Sequence, residues 1–522
     1  MLKKLKKWKL DYVLVFTIIS LYYSWLQWPR YIGDPDGFYH AKIVSFLKSG
    51  QLLQTMPWMQ FSTLRDNFTD HHLLYHILIL PFTYLTDNPL IAVKIATVVF
   101  TVAMIMVFYW LLKKLEIVWP LLFTILFITL NGLNFRLALI KANSLSLLLL
   151  WLLIFALIKR KIWLTVVLGF VFVWLYGGWP LAILITLIYF IAEKIYQYVH
   201  TDKLKMFWGR TFKVFSHKND QKIKIFLALL TGLFLGLIIN PYWPQNLNFY
   251  YQQVFQIGII NFGNQFNVGG EWYGTTIMHL ISDVPHIFIA GFFILMLLVP
   301  NYKKISLNTW FSFLLMFIFL FLSIKSRRYI EYFTPLALFF VATGFTDVKK
   351  MIGYKQIKSQ WQKMPRYLKY YIGLTIIAMA LVLVPAMYKQ TTRTSLNDRW
   401  SFDKFSEAST WLKENTEKNS IIFHADWDEW PILFYHNDHN YYLIGLDPTF
   451  MYNYDADLQK TYIDITTGDI RYDIGNLIKE NFGAKYILTE KARHKVFVAN
   501  LNLAPDINPV YADESVIVYQ ID

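Results

Sequence analysis

From residue 10 to residue 388, apolar runs of about 17 to 25 residues follow one another, each long enough to cross a bilayer as a helix. Short basic blocks separate them, among them Lys113-Lys114, Lys159-Arg160-Lys161 and Lys303-Lys304. This alternation rules out a soluble globular fold, and a chain that is 56% hydrophobic and 16% charged agrees. The net charge of +15 lies mainly in the same blocks. They follow the positive-inside pattern rather than building a face for nucleic acid. With no cysteine, disulfides, thiolate metal sites and a cysteine nucleophile are all excluded.

The basic start, residues 1–9, is expected to stay in the cytoplasm while residues 10–28 cross outward. No small-residue cleavage site follows that run, so it reads as an anchor. Residues 77–84 are too short to span and contain Pro81, which suits a helix lying in the interface. On that basis about eleven spans result, and the tail lies outside. The outer loops are 29–76, 131–135 and 240–283, the basic loop 198–224 is inside, and the last span is 370–388. Lys325-Ser326-Arg327-Arg328 is the one tight basic cluster left outside, and a cluster that breaks the orientation rule points to function. Beyond residue 388 the composition turns polar. Helices are predicted at 402–415 and 470–481, and strands at 420–424, 485–488 and 516–521. The expected fold class is therefore a polytopic α-helical membrane domain, 1–388, followed by a small extracytoplasmic α/β domain, 389–522.

Polar residues at the outer surface of such a body require an explanation. Asp34-Pro35-Asp36 opens the first outer loop, and hard oxygen ligands of this kind suit Mg²⁺ or Mn²⁺. Asp70 and His71 add potential ligands to make a metal set of Asp34, Asp36, Asp70 and His71. Adjacent histidines on a helix face different ways, so at most one of His71 and His72 is expected to join Asp36. In the second outer loop Glu271 follows two glycines, placed to reach over a substrate or complete a metal shell. Arg327 and Arg328 sit at a span mouth, where guanidinium forks suit the phosphate of a polyprenyl-linked donor. Arg136 is a further candidate for that phosphate, and the deeper Lys141 must snorkel or pair. In the tail, Trp427, Asp428, Glu429 and Trp430 follow a predicted strand and are placed to bind polar groups of an acceptor.

Together these residues resemble the GT-C membrane glycosyltransferases, and most of all the catalytic subunit of oligosaccharyltransferase. The shared pattern is the Asp-bearing first outer loop from Gly33 to His40, a multi-span body, Arg327-Arg328-Tyr329 before a late span, and a soluble outer tail. The Trp427-Asp428 pair falls where that family has its Trp-Trp-Asp-Tyr-Gly acceptor motif. The resemblance implies a transferase that moves a sugar or oligosaccharide from a polyprenyl phosphate or pyrophosphate carrier to an extracytoplasmic protein or glycan. It implies that Asp36 binds the metal and activates the acceptor, that Arg328 or Arg327 holds the donor phosphate, and that Glu271 acts from the mobile outer loop. Two features depart from the family. Only Trp427-Asp428 survives of the tail motif, and residues 131–136 lack the family's second carboxylate. Either Asp70 or His71 supplies the missing ligand, or the metal is absent. A non-catalytic lipid-glycan transporter and a cell-envelope scaffold are the alternatives.

Overall fold

The computed structural model describes residues 2–200, 218–352, 362–371, 373, 374, 381 and 400–522. Most of the expected last span 370–388, the domain boundary after residue 388, and most of the basic loop 198–224 lie outside the described residues. Helices Pro89–Lys114, Leu181–His200, Gln221–Ile238, Pro285–Lys304 and Leu307–Lys325 are long and apolar enough to cross a membrane. The pair Pro120–Thr129 and Asn131–Ala138 makes a sixth if counted as one broken span. The chain is an integral membrane protein with a mostly helical body. The expected count of about eleven spans parts from this tally at particular places. Among the described residues, Leu2–Gln27 carries its charged residues up to Asp11, Ile330–Ile352 carries them at its two ends, and Asn143–Ile158 and Ile162–Leu175 are short.

The first helix buries Val15, Ile19, Tyr23 and Leu26, one residue per turn, against Pro89–Lys114. Asp11 fastens the pair, accepting from Tyr109 Oη at 2.6 Å and Lys113 Nζ at 2.7 Å. Helix Ile330–Ile352 forms the middle of the body. Every residue from 330 to 344 is buried, as befits a helix apolar on nearly all sides. Residues 131–135, expected as a small outer loop, instead begin a helix bent by 75° from the segment before it. The helix breaks at Leu130 (φ −90°, ψ 80°). Asn134 then ties the elbow down, accepting from Tyr23 Oη at 2.7 Å and donating to the Ile128 carbonyl at 2.8 Å.

Small residues set the approach of Ile162–Leu175 to Lys218–Ile238. A Cβ at Gly169 would stand 2.9 Å from the Leu229 carbonyl, and one at Gly232 would collide with that of Val166. Gly232→Val is expected to cost roughly 1–3 kcal/mol by overpacking, read as a lowered unfolding midpoint in detergent. An unchanged midpoint would show that these helices do not meet so closely.

The tail holds a five-stranded sheet of order β4-β3-β5-β7-β6, made of β3 (Ile421–His424), β4 (Tyr441–Tyr442), β5 (Tyr486–Glu490), β6 (Ile507–Ala512) and β7 (Val516–Ile521). β3 runs parallel to β4 and β5, whereas β7 is antiparallel to β5 and β6. The segment 29–76, expected as the first outer loop, is knitted into this domain. β1 (Tyr31–Ile32) pairs with β2 (Trp400–Ser401), and the Gln60 and Phe61 amides donate to the Tyr442 and Leu443 carbonyls at 2.9 Å. Trp58 Nε1 donates to the Asp438 carbonyl and Trp430 Nε1 to that of Trp58. The hollow between loop and body is therefore walled on one side by the tail.

Candidate active site

Asp36 opens the helix Asp36–Lys48, whose first turns carry Asp36, Tyr39 and His40 on one face. Asp34 Oδ1 accepts from the Asp36 amide at 2.9 Å, which fixes the helix start. The break between Asn131–Ala138 and Asn143–Ile158 delivers Arg136 and Lys141 to the same place. Lys141 Nζ lies 2.9 Å from Asp34 Oδ2, 2.9 Å from Asp36 Oδ2 and 4.0 Å from Glu271 Oε2. Glu271, held in the turn Gly270–Trp272, accepts from Arg136 and from Arg328 Nη1 at 3.1 Å. Arg136 also grips Glu331 through Nε at 3.0 Å and Nη2 at 2.8 Å. Arg328 Nη2 donates to Tyr176 Oη at 2.9 Å, and its guanidinium stacks on Trp272 at 4.7 Å.

Burial pushes the Asp36 carboxyl up to about 6, against the pull of the Lys141 ammonium. Glu271 is held well below the usual carboxylate range, because Lys141, Arg136 and Arg328 together outweigh its burial. A hydrogen-bonded chain of histidines leads away from the cavity that Asp36 and His40 both line. His40 Nδ1 meets His76 Nε2 at 2.7 Å, and His76 Nδ1 meets Asp70 Oδ2 at 2.7 Å. Burial, and then the neighbouring His76, keep His40 uncharged well below its ordinary value.

Three hollows meet at these residues. A cavity of about 100 Å³ is lined by Asp36, His40, Lys141, Glu271 and Arg328. It shares Tyr176, Gln253, Trp272 and Arg328 with a groove of about 260 Å³ whose other walls are largely apolar, including Pro180, Leu181, Leu184, Val254 and Ile259. On the other side it shares Asp36, Lys141, Glu271 and Trp272 with a polar hollow of about 370 Å³ reaching Trp427, Asp428 and Arg493. An apolar trough thus ends on a guanidinium, and a polar chamber ends on a carboxylate.

No family model matches the chain, nor does any curated protein. Solved structures do. Oligosaccharyltransferase AglB of Archaeoglobus fulgidus, in complex with an inhibitory peptide and a dolichol-phosphate, is similar at a TM-score of 0.63 and 12% identity, over 94% of this chain and 71% of that one. ArnT of Cupriavidus metallidurans, bound to undecaprenyl phosphate, gives 0.52 and 10%, over 98% of both chains. The mycobacterial arabinofuranosyltransferase AftD gives 0.54 and 11%, over 98% of this chain and 41% of that one. The chain has the GT-C glycosyltransferase fold. At these identities the likeness is one of architecture, and the arrangement of the site has to be read from this chain's own side chains.

Within the GT-C fold the predicted site residues separate into two groups. Asp34, Asp36, Glu271, Arg136 and Arg328 converge, and Trp427 and Asp428 face them across the polar hollow. Arg327 does not join them: it is exposed, and its Nε donates to the Gly274 carbonyl at 3.3 Å. Arg136 reaches the hollow, but its guanidinium is committed to two glutamates. Glu429 and Trp430 are each 0% exposed, which closes both to an acceptor. Glu429 accepts from the Ala425 and Asp426 amides, and Trp430 stacks on Phe434.

The expected metal set does not assemble. Asp70 spends one oxygen on His76 and the other on the His72 amide at 3.0 Å, and His71 stacks on Phe249. Among the described residues no three His, Asp or Glu side chains gather as a metal shell. The donors present therefore do not fit a divalent ion as Asp34, Asp36, Asp70 and His71 would have held it. Sequence reasoning gave no role to Tyr176, His76 and Arg493, and named His40 only as part of the Gly33–His40 motif. Arg493 forks onto Asp428 at 2.9 and 2.8 Å and so orients that carboxylate.

Proposed function

We propose that this chain transfers a glycosyl group from a polyprenyl phosphate or pyrophosphate carrier to an extracytoplasmic protein or glycan acceptor. The observation that carries the reading is the order in which three neighbouring hollows share walls: apolar trough, Arg328, Asp36, polar chamber. The trough suits an isoprenoid chain, and Arg328 at its end suits the phosphate. The acceptor nucleophile then approaches from the chamber beside Trp427 and Asp428. Asp36 takes the nucleophile's proton as the new bond to the anomeric carbon forms. The bond from that carbon to the carrier phosphate oxygen breaks, and Arg328 offsets the charge on the departing phosphate. The known ligands of the fold relatives, dolichol-phosphate and undecaprenyl phosphate, support this class of donor. In this reading the tail is the extracytoplasmic domain and the basic N-terminus is cytoplasmic.

A transporter would need charged residues strung between the two faces. Lys94 instead donates to the Pro29 and Tyr31 carbonyls beside the outer loop, and Glu193 pairs with Arg160 and Lys222 away from the site. The deciding experiment is release of carrier phosphate from a radiolabelled polyprenyl-phosphate sugar by the purified protein. No release with any sugar donor would favour the transporter or the scaffold. The reading also fixes a pH dependence. Asp36 must be ionised to take a proton, so turnover is expected to fall roughly tenfold per unit as pH drops through about 6. A rate profile that stays flat well below that value would remove Asp36 as the base.

A further inference from the structure

We propose that the Lys141 ammonium is the resident cation of this site, in the position where the outward acids would otherwise gather a divalent ion. Three carboxylates, from Asp34, Asp36 and Glu271, surround its nitrogen at 2.9, 2.9 and 4.0 Å. The side chain is only 14% exposed. An ammonium is a compact point charge with three donors, suited to bridging two carboxylates and leaning toward a third. Its stem is anchored, since the Lys141 amide donates to the Leu139 carbonyl at 2.9 Å within the break between two buried helices.

Side chains already offset most of the negative charge at this site, with three cations set against four carboxylates. Lys141, Arg136 and Arg328 face Asp34, Asp36, Glu271 and Glu331 through direct ion pairs. Mg²⁺ demands near-octahedral oxygens at about 2.0–2.1 Å. Here Asp34 has given one oxygen to Lys141 and the other to the Asp36 amide, and an ion placed between the acids would sit against the ammonium. Lys141 is thus a positioning residue. It holds Asp36 Oδ2, leaving the other oxygen for the acceptor. The consequence for turnover rests on the proposed function; the identity of the cation does not.

The test uses the full-length protein in nanodiscs after EDTA treatment, with Mn²⁺ as the probe followed by electron paramagnetic resonance. The wild type is expected to bind no Mn²⁺ that Asp36→Asn abolishes. Lys141→Met is expected to open the acids to one Mn²⁺, lost again when Asp36→Asn is added. Lys141→Arg, which keeps the charge, is expected to bind none. In the transfer assay the wild type should be unaffected by EDTA, and Lys141→Met should lose about 100-fold and regain part of it with Mn²⁺ or Mg²⁺. Stoichiometric, Asp36-dependent Mn²⁺ binding by the wild type would overturn the proposal, as would turnover abolished by EDTA and restored by Mg²⁺. The wild-type measurement decides even where a variant fails to fold, and the resonance experiment decides even where no glycosyl transfer is found.

Discussion

Turnover by an Asp36→Asn variant is expected to fall by about 10³-fold, with membrane insertion and folding intact. The amide keeps the shape of the carboxyl and an oxygen for Lys141, so the local geometry survives; what it loses is the capacity to take a proton. Asp34→Asn is the informative comparison. Both Asp34 oxygens are occupied, by Lys141 and by the Asp36 amide, so its role is to place Asp36, and a loss of about tenfold is expected. Initial rates of phosphate release from labelled donor, normalised to monodisperse protein, check both. Full activity in Asp36→Asn would end the assignment.

Arg328→Ala should lower kcat/KM by about 10²–10³-fold, with KM for the lipid donor rising alongside a fall in kcat. The guanidinium closes the apolar trough, donates to Tyr176 and stacks on Trp272. Lysine at this position is expected to recover only part of the loss, because an ammonium can neither fork nor stack in the same way. Arg327→Ala should be close to neutral, since that side chain is exposed and bonded to a backbone carbonyl. Donor titrations on the three variants separate the two arginines. Equal losses at both positions would mean that the phosphate lies elsewhere.

Which of the paired arginines faces inward was illegible before the structure. Position relative to the membrane marked the pair, but a short 3₁₀ turn, Arg327–Tyr329, decides the rotation, and local sequence does not encode that. The acids at 34, 36 and 271 were legible because outward carboxylates in an apolar chain are rare. Lys141 was legible as a charge that had to pair, but its partners lie on segments distant in sequence. In the tail, residues 516–521 are largely apolar and form a strand as expected. Residues 507–512 form one too, although Asn508 and Pro509 interrupt the pattern, because β7 supplies a partner for the edge. Glu429 and Trp430 looked like ligand binders in an acidic, aromatic run. Trp430 instead begins the helix Trp430–His436, whose apolar face turns into the core.

The segment 29–76 lends backbone hydrogen bonds to the tail's sheet at Tyr442 and Leu443, and Trp58 exchanges indole and carbonyl contacts with it. Such a domain is not a cassette that recombination can trade between proteins, because part of its border is woven from the chain's opening segment. New acceptor preferences would have to evolve by changing side chains around the shared chamber. The two ends of this polypeptide are thereby bound to change together.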